Sequence, residues 1–267
     1  MVEITSTSNQ RVKGLIKLKD NQKRKKQNAF LIEGLREIRL ALKEDYIFLE
    51  IICCEDILTN ESIQTKIEII QKHSTIDVLQ VSKHVYERIG LKKNGDGLIL
   101  KAKPKTFTLN DIAVLKENHL IAFENIEKPG NLGAVLRTVN AVGIKSIILI
   151  NTSIDIYNPN VIRSSLGTIF STKIIHCSID ECIQWARKNE YSLTGTSAHN
   201  STNIYQYSFP KRNMIFFGSE ANGLSTPLLS KTDANLKIPM FGDASSLNLS
   251  VSCAVVLYEA LRQSLKP

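Results

Sequence analysis

Several features that would mark a specialised protein are scarce in this sequence. Its 267 residues contain one tryptophan and 6% aromatic residues, and no stretch approaches the roughly 20 consecutive apolar residues of a membrane span. Five cysteines, Cys53, Cys54, Cys177, Cys182 and Cys253, form no Cys-x-x-Cys pair and have no histidine at zinc-ligand spacing, which argues against a disulfide framework or a structural metal. His73, His84, His119, His176 and His199 show no ligand spacing among themselves. The opening residues MVEITSTSNQ lack the apolar core of a signal peptide, so a cytoplasmic protein is expected. Two phosphate-binding loops are missing as well. G-x-G-x-x-G occurs nowhere, and Leu224-Ser225 stands after Gly223 where a P-loop needs Lys-Ser/Thr.

What remains is the balance of a soluble globular chain, 43% apolar and 22% charged, long enough for one large or two ordinary domains. The formal charge is +8, and it is unevenly spread: residues 1–105 carry net +6 and the rest +2. Between Arg11 and Lys26 the residues Arg11, Lys13, Lys17, Lys19, Lys23, Arg24, Lys25 and Lys26 face one acid, Asp20. Such a block suits a solvated helix face or a patch that contacts phosphates. It makes an acidic macromolecule a plausible partner.

Periodicity divides the chain near Lys105. Before it, strands are expected at 30–34, 48–53, 78–81 and 97–102, with helices at 35–43 and 62–72. Turn residues fill Lys92-Lys93-Asn94-Gly95-Asp96-Gly97, and the stretch around Pro104 reads as a linker. After it, strands at 119–124, 146–150, 173–176, 191–196 and 213–218 alternate with helices at 132–142, 159–166, 179–189 and 247–263. Alternation of this kind implies crossover units and a mostly parallel sheet. Two domains, 1–105 and 106–267, are therefore expected.

Three segments carry chemistry. In the first, running from Glu124 to Gly143, a strand ends in a Pro-Gly turn, Asn131 stands as an N-cap, and Leu132, Val135, Leu136, Val139 and Val142 form a buried stripe. Arg137 lies off that stripe with Gly133 and Ala134 one turn earlier, which leaves space beside the guanidinium. Taken alone it also fits a surface arginine. In the second, Met214 to Ser225, an apolar strand enters a turn with Glu220 between Gly218 and Gly223, at the strand end where parallel sheets hold ligands. Glu220 by itself is also an ordinary turn acid. In the third, Leu236 to Leu261, a short strand and a polar loop precede a helix apolar on nearly all sides, which must be buried against its own domain or another subunit. Ser246 and Asn248 at its start are also natural caps.

In order and spacing, Asn131-x-Gly133-x-x-x-Arg137-Thr138, Gly218-Ser219-Glu220-x-x-Gly223, and Ile238-Pro239-Met240 with Ser246-Leu247-Asn248-Leu249-Ser250 resemble the three motifs of the SpoU (TrmH) family of RNA ribose 2'-O-methyltransferases, over residues 119–264. The N-terminal part, through Ser8-Asn9-x-x-Val12-Lys13 and Arg24 followed by Phe30-Leu31-Ile32-Glu33-Gly34, resembles the RNA-binding domain of ribosomal-RNA members, a small L30e-like α/β domain. The resemblance implies a SPOUT-type parallel α/β domain with a trefoil knot, a homodimer through the last helix, and S-adenosylmethionine held around Gly218, Ile238, Met240, Leu247 and Leu249. It assigns Arg137 to substrate deprotonation or to orientation alone, with Asn131, Glu220, Ser246 and Asn248 placing the reacting groups. A guanidinium stays protonated in proteins, so both roles for Arg137 stand. Structured RNA, 23S ribosomal RNA first, is the implied substrate, docked by Arg11, Lys13, Arg24, Lys25 and Lys26. The alternatives are a tRNA 2'-O-methyltransferase and a non-catalytic RNA-binding protein that keeps the fold.

Overall fold

The computed structural model describes residues 3–92, 95–114, 118–197 and 201–265; Lys93 and Asn94 of the expected turn, and His199, lie outside the described residues. The chain forms two compact units. One comprises residues 1–105 with 155–171, the other 106–154 with 172–267. The sequence suggests a single cut, whereas a segment far along the chain joins the first unit.

The first unit begins with α1 (Gln10–Lys17), capped by Asn9, and α2 (Asn21–Gln27), capped by Asp20 and closed by Asn28 in the left-handed region. There follow β1 (Phe30–Glu33), α3 (Leu35–Lys43), β2 (Phe48–Cys53), α4 (Asn60–Lys72), β3 (Asp77–Gln80), α5 (Lys83–Ile89) and β4 (Leu98–Ala102). The four strands form one sheet in the order β1-β4-β2-β3; β4 runs antiparallel to both neighbours and β2–β3 is parallel. Val12 and Leu15 of α1 pack with Leu31, Ile52, Val85 and Ile99 in its core.

The second unit opens with β5 (His119–Glu124), α6 (Pro129–Ala141) and β6 (Ser146–Ile150). Then α7 (Pro159–Ser164) returns to the first unit, where Tyr157 stacks on Phe30 with ring centroids 4.1 Å apart and Phe170 meets Tyr46 edge-on. Beyond it come β7 (Lys173–Cys177), α8 (Ile179–Lys188), β8 (Ser192–Thr196), β9 (Thr202–Asn203), β10 (Asn213–Phe217), α9 (Thr226–Leu229), β11 (Ala234–Lys237) and α10 (Leu249–Ser264). The seven strands, in the order β7-β6-β5-β10-β8-β11-β9, are parallel throughout. Strands buried on both faces explain the near-continuous apolar runs at Ile147–Ile150 and Met214–Phe217. The last helix buries Leu249, Cys253, Val256, Leu257 and Ala260 but leaves Val251 and Tyr258 about half exposed, so one of its apolar faces is uncovered by its own unit.

Candidate active site

The site grows from the carboxyl ends of β5 and β10, adjacent strands at the middle of the sheet. Glu124 closes β5, and its carboxylate accepts hydrogen bonds from the Ser225 amide (2.7 Å) and hydroxyl (2.6 Å). That link ties the start of the first segment to the end of the second. From β10 the chain turns at Gly218, where an added Cβ would fall about 2 Å from the Gly223–Leu224 backbone. Only glycine permits this closure, which Ser219 and Gly223 complete with two mutual backbone hydrogen bonds of 3.0 and 3.1 Å.

Asn131 departs from expectation. The helix α6 begins three residues earlier than expected, with Lys128 at the N-cap and Pro129 in its first turn, because proline there sacrifices an amide that has no helical partner. The Asn131 side chain is therefore free for another task. Its Nδ2 donates to Glu220 Oε1 at 2.5 Å, and its Oδ1 accepts from Asn248 Nδ2 at 3.2 Å. Asn248 in turn caps α10, accepting from the Ser250 amide and hydroxyl. One hydrogen-bonded line thus joins residues of all three motifs. The other carboxylate oxygen, Glu220 Oε2, is buried and has no hydrogen-bond partner among the described residues.

Beside this line lies a cavity of about 1190 Å³, lined by Gly218, Glu220, Ile238, Met240, Ser246, Leu247, Asn248 and Leu249 among others. All five positions expected to hold the cofactor are on its wall. Phe217, Leu224, Leu236 and Val256 add apolar surface, Thr196, Ser197, Thr226 and Ser252 add hydroxyls, and Lys128 and Lys237 are its cations. A cavity whose walls mix apolar side chains with hydroxyls, amides and charges suits a ligand that combines a flat ring, a sugar and a charged amino-acid end. Arg137 stands apart. It is exposed on α6 and makes no hydrogen bond or ion pair among the described residues, so Asn131, Glu220 and Asn248 hold one another without holding Arg137. Ser246 is exposed in the loop before α10.

The basic residues of the first unit fall into two classes. Lys13, Lys25 and Lys26 are exposed, and Arg11, partly exposed, pairs with Glu50 and Asp77. Arg24 corrects the sequence reading. It is 5% exposed, donates to the carbonyls of Leu18 (2.7 Å) and Lys19 (2.8 Å), and pairs with Asp155, so its charge is spent inside the unit. Glu124 is the residue bracing the site that sequence reasoning passed over as a strand end. Its signal was a carboxylate at the carboxyl end of an apolar strand, a costly place unless it is bonded.

Both parts of the chain match known families. Residues 118–258, more than half of the chain, match the model of the SpoU rRNA Methylase family, and residues 9–100 match the MRM3-like substrate binding domain. The 23S rRNA (guanosine(2553)-2'-O)-methyltransferase RlmP of Bacillus subtilis is 26% identical over 97% of this chain and 98% of its own. A crystal structure of an RNA 2'-O ribose methyltransferase is 35% identical with a TM-score of 0.84, covering 99% of this chain and all of that one. The AdoMet-bound rRNA methyltransferase from Sinorhizobium meliloti is 25% identical with a TM-score of 0.89 and covers 99% of both chains.

Proposed function

We propose that this chain, which belongs to the SpoU rRNA methylase family, transfers a methyl group from S-adenosylmethionine to a ribose 2'-hydroxyl of RNA, with 23S ribosomal RNA as substrate. The observation that carries the reading is the line Asn248–Asn131–Glu220 beside a cavity that five expected cofactor positions help to build. When bound, the cofactor supplies an electrophilic methyl on a sulfonium. Everything else falls to the protein. A ribose 2'-hydroxyl is a poor nucleophile and must lose its proton as it attacks, so it needs a proton acceptor and alignment. Glu220 is the carboxylate on the cavity wall, its Oε1 held by Asn131 and its Oε2 buried without a hydrogen-bond partner among the described residues. Arg137 contributes charge and grips a substrate phosphate. Asn131 and Asn248 fix the carboxylate, and Ser246 orients the ribose.

The fold of the cofactor site is read as the trefoil knot of the SPOUT class, one of the rare exceptions to unthreaded chains. The uncovered face of α10 with Val251 and Tyr258 is where a second copy seats, giving a homodimer. The first unit docks structured RNA through Lys13, Lys25 and Lys26, reading shape and phosphates. No described helix is long and apolar enough to cross a membrane, and the protein acts on ribosomal RNA in the cytoplasm.

The test is Arg137→Ala. Methyl transfer to ribosomal RNA from cells lacking the protein should vanish, while calorimetry still registers S-adenosylmethionine binding. Retained turnover would refute the assignment of Arg137.

A further inference from the structure

The polar loop that follows Met240 carries a residue that neither the core nor the motif network uses. Phe241 is 97% exposed, whereas the other phenylalanines cited above are buried. It sits directly after Met240 on the cavity wall, and residues 241–248 that follow are exposed up to the cap Asn248. An apolar ring of this size, left in water one residue along the chain from the cavity wall, adds no burial to its own unit. Lys128 and Lys237 are exposed cations on the wall of the cavity that Met240 lines. Proteins hold unpaired nucleic acid by combining exposed aromatic rings with cations: the ring stacks on a base and the cations take the backbone phosphates.

We propose that Phe241 is a positioning residue that stacks on an unpaired base next to the ribose being methylated, so that the substrate nucleotide lies in a single-stranded stretch of RNA. The inference rests on the reading of the chain as an RNA 2'-O-methyltransferase and adds to it the class of nucleotide that is accepted. A base within a duplex is covered on both faces by its neighbours and offers none to Phe241. A base in a loop or bulge does. Stacking fixes the nucleotide as a whole, and with it the 2'-hydroxyl, before any covalent step. Phe241 thus acts on recognition of RNA and leaves the cofactor cavity unchanged.

The experiment measures initial rates of methyl transfer from tritiated S-adenosylmethionine to ribosomal RNA purified from cells lacking the protein, for wild type, Phe241→Leu and Phe241→Trp. Leucine keeps apolar bulk without a π-face; tryptophan keeps the face. Phe241→Leu should raise KM for RNA by roughly 5- to 150-fold, the worth of one base–aromatic stack, with kcat at saturating RNA, cofactor affinity by calorimetry and sedimentation behaviour all unchanged. Phe241→Trp should restore the wild-type KM. Equal KM values for wild type and Phe241→Leu, equal losses in both variants, or a changed oligomeric state would overturn the stacking role; the last would place the ring against a second copy. A wild-type protein that transfers no methyl group to RNA in this assay would overturn the underlying reading instead.

Discussion

Two glutamates, one in each compact unit, hold inward-facing carboxylates in opposite states. Glu33, at the end of β1, is 3% exposed and fully occupied: Oε1 accepts from the Tyr86 hydroxyl at 3.1 Å, and Oε2 accepts from the amides of Leu91 and Lys92. Glu220 has one oxygen fixed by Asn131 and the other buried with no partner among the described residues. The buried Arg24–Asp155 pair belongs with Glu33, since Arg24 also satisfies two backbone carbonyls. A polar group whose valences are all taken holds a fold together. One left half-taken at a cavity wall costs free energy that the fold does not recover, which marks it as a group kept for the site's chemistry.

Breaking each cluster sharpens that distinction. The largest effect is expected at the open one: Glu220→Gln keeps the shape and a hydrogen bond to Asn131 but removes the proton acceptor, lowering kcat by about 10²- to 10⁴-fold. Its unfolding midpoint and cofactor affinity should stay near wild type, and a fall in stability with unchanged rate would reverse the assignment. Next comes Arg24→Met, which strands the Asp155 carboxylate in a buried setting and should cost about 3–5 kcal/mol in the first unfolding transition. Its salt-dependent RNA affinity, measured at a temperature where it is folded, should match wild type, because Arg24 does not face RNA.

The smallest effect is a pH dependence. Burial raises the Glu33 pKa above its ordinary 4.5, against the pull of its hydrogen bonds to the amides of Leu91 and Lys92 and to Tyr86. A carboxyl whose pKa is raised by folding stabilises fully below the unfolded value and loses that contribution as pH climbs through the folded value. Chemical denaturation of wild type and Glu33→Gln should therefore show a wild-type advantage of about 1–3 kcal/mol at pH 4 that shrinks towards neutrality. An advantage that grows with pH would show that the hydrogen bonds outweigh burial.

Much of this was legible in the sequence, and the reasons are local. The limits of β2, β5 and β6 coincide with the expected ones because apolar, β-branched runs end at turn residues. Gly143 takes the left-handed conformation its place after α6 suggests. The all-round apolar helix is confirmed in kind, although its own unit covers only part of it. Failures came where partners lie far apart in sequence. Pattern cannot show that Arg24 finds Asp155, so a charge inside a basic block looks available when it is not. Nor can it show that residues 155–171 leave their neighbours to complete the first unit. At Asn131 a good local rule lost to a better one, since proline in the first turn set the helix start and released the amide for Glu220.

Chain order within the large sheet governs how the protein is made. Met214 of β10 pairs with Leu120 of β5, 94 residues upstream (214 − 120), and β10 is the strand that joins β7-β6-β5 to β8-β11-β9. During synthesis β5 emerges with β6 available on one side and an open edge on the other, an edge that stays unsatisfied until translation has passed Phe217. At about 5–20 residues per second that interval lasts from several to some twenty seconds. The nascent chain carries a parallel half-sheet with an apolar, unpaired border throughout it, the kind of border that recruits another strand or a chaperone. The first unit also waits, since Asp155 must appear before Arg24 has its partner. Late elements close both units, so truncation between β8 and β10 leaves β8 cut off from the β7-β6-β5 half of the sheet rather than a smaller working protein.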